Sequence, residues 1–224
     1  MTPEPTANTY WCGRDKSNMR STDHDEAIIA LRKKDKGLRK IIDACGPYTM
    51  KSKRGHFAAL CRAIVGQQLA VAAAATIYER FRKLFPTGRP NPEALLRIPK
   101  PQLRAAGLSN QKMGYLIDLA THFSNNTIPH RRLSKMSDEE VIDALTEVKG
   151  IGVWTAQMFL IFVLARSDVW PTGDLGIRRA LERSFSVAPE ASLDDLEQVG
   201  EPWRPFRSYA AWYLWRSLDV VPVK

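Results

Sequence analysis

In this 224-residue sequence a Gly150-Ile151-Gly152 turn lies between two predicted helices, one ending near Leu145 and the next, apolar, starting at Val153. Two glycines one residue apart are expected at positive φ, where a Cβ would be barred, and they permit close approach of another backbone. The unbonded amides opening the following helix then suit a phosphate. Taken alone, this is also the pattern of an ordinary turn between two helices. Asp174 follows Gly152 by 22 residues, in Pro171-Thr172-Gly173-Asp174-Leu175, where a loop hands over to a helix. Such an aspartate is a helix N-cap, worth about 1 kcal/mol, and a fixed carboxylate there can stabilise a developing cation. Trp154 and Trp215 offer indole faces for a flat cation or side chains for a core. Gln67-Gln68, at a helix break after Gly66, are poor core residues.

Helices must carry all of these groups. Apolar residues recur at helical spacing in Ala27-Ile28-x-x-Leu31, Leu38-x-x-Ile41-Ile42 and Phe57-x-x-Leu60-Cys61-x-x-Ile64-Val65. Further helices are expected over about 70–85, 92–97, 101–106, 111–123, 138–145, from 153 onward, 174–184 and 205–217, with Gly and Pro between them. Ser137 with Glu140 forms a capping box. No alternating segment is long enough for a strand, so the expected fold is all-α, with about ten short helices. Residues 1–23 are polar and aperiodic and read as a flexible tail, leaving residues 24–224 as the folded domain.

The chain carries 33 basic and 24 acidic side chains, a formal net charge of +9. Residues 1–112 hold a net +12 and residues 113–224 a net −3. The balance points to a polyanionic partner. Cys12, Cys45 and Cys61 are too few for a four-cysteine iron–sulfur cluster and lack the spacing of a zinc ribbon or disulfide framework. His24, His56, His122 and His130 show no metal or triad spacing and are assigned no catalysis. Residues 1–11 lack the charge and apolar pattern of a signal peptide. The apolar run 153–165 is too short to cross a bilayer, so an intracellular protein without a membrane partner is expected.

Together, Gly66-Gln67-Gln68, Lys149-Gly150-Ile151-Gly152-x-Trp154-Thr155-Ala156, Asp174 and Trp203-Arg204-Pro205-Phe206-Arg207-Ser208-Tyr209-Ala210 resemble the helix-hairpin-helix DNA glycosylase superfamily, in its alkylated-base branch (3-methyladenine DNA glycosylase II). The resemblance spans about residues 25–218. It implies two helical subdomains with a cleft between them and hydrolysis of the N-glycosidic bond of alkylated bases in damaged double-stranded DNA. Asp174 is then the catalytic carboxylate, and Trp154, Trp215, Met158 and Tyr209 line the base pocket. Gln67 or Gln68, with Leu69 as a third candidate, plugs the duplex. Lys149, Gly150, Ile151, Gly152 and Thr155 grip the DNA backbone. The carbonyls of Thr146, Val148 and Ile151 are the implied ligands of a monovalent cation, with no other cofactor required and no iron–sulfur cluster. Trp154 stands where lyase-competent members carry a lysine, which implies a monofunctional enzyme. Met158 and Gly173 replace an aromatic and an acidic residue of the larger enterobacterial relatives, which implies a pocket of different shape. Their amino-terminal β-rich domain is not expected in this sequence. A monomer is expected, in the cytoplasm or nucleoid of a bacterium or the nucleus of a eukaryote. The competing readings are a glycosylase for other damaged bases, a non-catalytic DNA-binding helix-hairpin-helix module and a plain helical interaction protein.

Overall fold

A computed structural model of the chain describes residues 21–50 and 55–220. Most of the tail expected over 1–23, and the basic cluster Lys51-x-Lys53-Arg54, lie outside the described residues. Among the described residues the chain forms twelve α-helices and two 3₁₀ turns, with no strand. It divides into two compact units, one made of residues 1–52 with 165–224, the other of residues 53–164.

The first unit contains α1 (Ser21–Lys34), α2 (Lys36–Cys45), α10 (Leu175–Phe185), α11 (Leu193–Gly200) and α12 (Arg207–Val220). Helix α1 starts at Ser21, so the expected tail is shorter than 1–23 at its carboxyl end. Asp35 caps α2 by accepting from the Leu38 amide at 2.9 Å, and its other oxygen accepts from the Trp203 indole at 3.0 Å. Helix α12 is buried around its whole circumference from Arg207 to Trp215, as a central helix must be when every face is apolar or paired. Helix α11 was absent from the sequence expectations. Its start is nonetheless marked, because Ser192 and Asp195 form a reciprocal capping box, with aspartate in the place usually held by glutamate.

The second unit contains α3 (His56–Gly66), α4 (Val71–Arg82), α5 (Pro92–Arg97), α6 (Lys100–Ala105), α7 (Asn110–Ser124), α8 (Asp138–Thr146) and α9 (Val153–Phe162). Helix α9 is its central element, and Ala156 and Met158–Phe162 are fully buried. Each large apolar side chain so buried contributes about 1.5–3 kcal/mol. The expected capping box of α8 is present, with Ser137 Oγ accepting from the Glu140 amide at 3.1 Å and Glu140 from the Ser137 amide at 2.7 Å. Helix α4 ends at Arg82, earlier than the pattern over 70–85 suggests, because Lys83–Phe85 continue as tighter turns ahead of Pro86.

Candidate active site

In the first unit the chemistry gathers at the start of α10. Asp174 is only 5% exposed and is its N-cap. Its Oδ1 accepts from the Ile177 amide at 2.9 Å and from the Trp215 indole nitrogen at 2.8 Å. The helix start adds the positive end of aligned peptide dipoles, which favours a negative group at that position. Trp215 is fully buried on α12, so in this structure it belongs to the core and spends its N–H on the carboxylate. Gly176 makes the arrangement sterically feasible, since a Cβ there would lie 3.0 Å from both Asp174 Oδ1 and Trp215 Cδ1.

The loop that delivers Asp174 is fastened to the beginning of α12. Asp168 Oδ1 accepts from Arg207 Nε at 2.9 Å, and Arg207 Nη1 reaches Glu197 at 2.7 Å. Arg207 is buried, so removing its carboxylate partners together would strand a charge at a cost of about 3–5 kcal/mol. Ser208 adds three bonds, donating its amide to the Ser167 carbonyl at 3.0 Å, accepting the Val169 amide at 2.9 Å and donating its hydroxyl to the Val169 carbonyl at 3.4 Å. Tyr209, one position on, is nearly buried in an aromatic cluster, 4.9 Å from the Tyr48 ring and 5.6 Å from His24.

In the second unit the turn between α8 and α9 comes out partly as expected. Gly150 has φ +83° and sits directly on the Tyr115 ring, which a Cβ would approach to 2.2 Å. Gly152 differs from expectation. Its φ is −101° and ψ 175°, an extended conformation open to any residue, and nothing lies within 4 Å of where its Cβ would be. Gly152 is also the N-cap of α9 and makes no side-chain cap bond. The opening of the helix is exposed at Gly152, Val153 and Trp154, the last 37% exposed. Behind it Thr155 and Met158 are buried, the latter completely. Lys149 is exposed, and its amide is bonded to Asp118 Oδ2 at 2.8 Å. Thr146 is half-buried, Val148 and Ile151 are buried, and the Val148 carbonyl accepts from the Ile151 amide at 3.0 Å.

The loop after α3 is brought to the same turn. Gln67 donates its side-chain amide to the Gly150 carbonyl at 2.7 Å. Gln68 is exposed and takes φ +55°, uncommon for a residue other than glycine. Leu69 is half-buried beside it. Lys112, Tyr115 and Asp118, which support both turns from α7, gave no signal in the sequence, because each is an ordinary polar or aromatic position on a helix. Gly176 carried a weak one, a poor helix former in the first turn of a helix.

Buried helices, a helix–glycine turn–helix and a capped carboxylate define a recognisable class. The family model described as "HhH-GPD superfamily base excision DNA repair protein" matches residues 61–205, and the chain belongs to that superfamily. DNA-3-methyladenine glycosylase 1 of Schizosaccharomyces pombe is 34% identical over 197 residues, covering 86% of each chain. The putative DNA-3-methyladenine glycosylase YfjP of Bacillus subtilis is 32% identical over 71% of this chain, which spans only 58% of that relative. Among solved structures, the S. pombe 3-methyladenine DNA glycosylase Mag1 in complex with abasic DNA superposes with a TM-score of 0.80 at 33% identity, covering 89% of this chain and all of that one. Among the described residues no helix is long and apolar enough to cross a membrane.

Proposed function

We propose that the chain is a monofunctional DNA glycosylase that removes alkylated bases of the 3-methyladenine and 7-methylguanine type from duplex DNA in base excision repair. The observation that carries this reading is the buried Asp174 carboxylate, oriented through Oδ1 by Ile177 and Trp215 at the start of a helix. The names of its relatives, 3-methyladenine glycosylases at 32–34% identity, support the same reading.

Cleavage breaks the bond between the sugar C1′ and the base nitrogen, leaving positive charge on the sugar. Asp174 stabilises that charge, and a water oxygen bonds to C1′ and releases a proton. An alkylated base departs as a neutral molecule, because its cationic ring takes the bonding electron pair. Trp154 offers an exposed indole face to the base, with Met158 buried behind it in the same helix; Trp215 acts chiefly through the carboxylate it holds. With tryptophan at position 154 the site has no amine to form a Schiff base, and the product is an intact abasic site.

The amides opening α9 take a phosphate, with Lys149 and Thr155 beside them. Gln68 is the plug that fills the space of the extruded base, since the amide of Gln67 is engaged with Gly150. The carbonyls of Thr146, Val148 and Ile151 are neutral oxygen donors that suit a single monovalent cation at the turn, where it would add positive charge near that phosphate. No iron–sulfur cluster or other cofactor is needed. Residues 24–224 act as the functional domain, as a monomer, in the compartment that holds the genome.

The test is base release from methylated duplex DNA by wild type and Asp174→Asn. Asparagine is an equal N-cap and keeps an acceptor for both donors, so folding and DNA binding persist. Excision should fall by roughly 10²–10³-fold or more, the scale of losing one preorganised electrostatic group. Wild-type excision by the variant would overturn the assignment.

A further inference from the structure

Helix α7 carries, at Lys112, Tyr115 and Asp118, three groups that reach the two turns named above as the DNA-contacting ones. Lys112 Nζ donates to the carbonyls of Val65 and Gln67, both at 2.8 Å. These oxygens belong to the end of α3 and the residue before Gln68, where a helix leaves carbonyls without partners. Tyr115 lies under Gly150, with its hydroxyl accepting from Gln111 at 2.7 Å. Asp118 holds the Lys149 amide. Gln67 then closes the circuit by bonding across to the Gly150 carbonyl. Burial makes the ammonium of Lys112 harder to keep charged, lowering its pKa from the ordinary value.

We propose that Lys112 is a positioning residue for base extrusion: through the Val65 and Gln67 carbonyls it fixes the loop that presents Gln68, and through Gln67 it sets that loop against the phosphate-gripping turn. The inference rests on the reading of Gln68 as the plug. A loop so fastened delivers the plug at a set distance from the gripped backbone without reordering. The left-handed conformation at Gln68 stands between two bonds, Lys112 to the Gln67 carbonyl at 2.8 Å and the Leu69 amide to the Gly66 carbonyl at 3.3 Å. Lys112 differs here from the basic residues that neutralise phosphates, because both of its bonds are to protein carbonyls.

The experiment measures the affinity of wild type, Lys112→Met, Gln68→Ala and the double variant for two duplexes, one intact and one with a central abasic site, over a range of salt. Methionine keeps the length of the stem and removes the ammonium. Lys112→Met is expected to lose about tenfold in affinity for the abasic duplex, the size of a lost charge-assisted hydrogen bond, with intact-duplex affinity unchanged. The slope of log affinity against log salt should stay the same. In the Gln68→Ala background the Lys112 substitution should cost nothing further. Equal losses on both duplexes, a slope shallower by about one, additive losses, or a wild type without abasic preference would each overturn the proposal. Gln67→Met repeats the test from the other end of the circuit should Lys112→Met fail to fold. These are binding measurements, so they stand apart from the base-release assay: an inactive wild type would sink the glycosylase reading and leave the positioning claim to be judged by binding alone.

Discussion

Substituting alanine separately at Gly150 and Gly152 should split folding from DNA binding. At Gly150 an alanine must adopt φ +83°, costing roughly 1–2 kcal/mol for a residue with a Cβ. Its methyl group would also enter the Tyr115 ring at 2.2–2.6 Å, and forced overpacking adds about 1–3 kcal/mol. The sum, roughly 2–5 kcal/mol, lowers the melting temperature of a chain this size by on the order of 4–20 °C. At Gly152 the backbone is extended and the space open. Reduced freedom of the unfolded chain gains about 0.4–1 kcal/mol, and the poorer N-cap offsets about as much. Gly152→Ala should therefore melt within a few degrees of wild type. Its methyl group stands beside the exposed amides of α9, so affinity for intact and abasic duplexes should fall together, by about 10–100-fold if one charge-assisted phosphate bond is lost. Thermal melts and DNA titrations on both variants decide the matter. A Gly152→Ala protein that folds normally and binds DNA as tightly as wild type would refute the phosphate grip and leave the turn a mere connection.

Other outcomes follow from the site and its surroundings. Borohydride added during turnover should trap no covalent protein–DNA adduct, and gel detection of an efficient adduct would end the monofunctional reading. Trp215→Phe removes the indole N–H that Asp174 accepts, so single-turnover excision should drop about tenfold or more with affinity for undamaged DNA spared. Rates equal to wild type would mean that the bond orients nothing. His56 has its pKa lowered first by burial, against a raising hydrogen bond to the His130 carbonyl. The unfolded chain therefore takes up the proton first, and stability present above the ordinary value of about 6.5 is lost as pH falls through the lower folded value. Melting temperatures at pH 7.5 and 5.5 should differ less in His56→Asn than in wild type; an unchanged difference would remove His56 from the acid response.

Much of the site was legible because its signals are local. Asp174 as an N-cap, the capping box at Ser137 and Glu140, a turn with positive φ at Gly150 and the apolar helix opening at Val153 depend on residues a few positions apart, and the structure contains each of them. Where local rules left two options, the sequence could not choose. Gly150 and Gly152 are the same residue, yet only Gly150 lies against Tyr115, 35 positions earlier in the chain, and only it needs positive φ. Gln67 and Gln68 likewise differ in role because one meets the Gly150 carbonyl, 83 residues away.

By itself, then, the sequence determined an all-α chain, the order of most helices and the stretch that carries the carboxylate, because periodicity, caps and glycine turns act over a turn or two of backbone. The tertiary structure alone decided what each polar group touches. Trp215 became the donor to Asp174 rather than an open wall, since α12 is buried all round and places its indole nitrogen 2.8 Å from Oδ1. Lys112 fastened the loop after α3 because α7 packs against α3, and a lysine in a sequence carries no mark of which carbonyls it will meet. Contacts between residues far apart in the chain depend on packing every intervening element, and no local pattern encodes them.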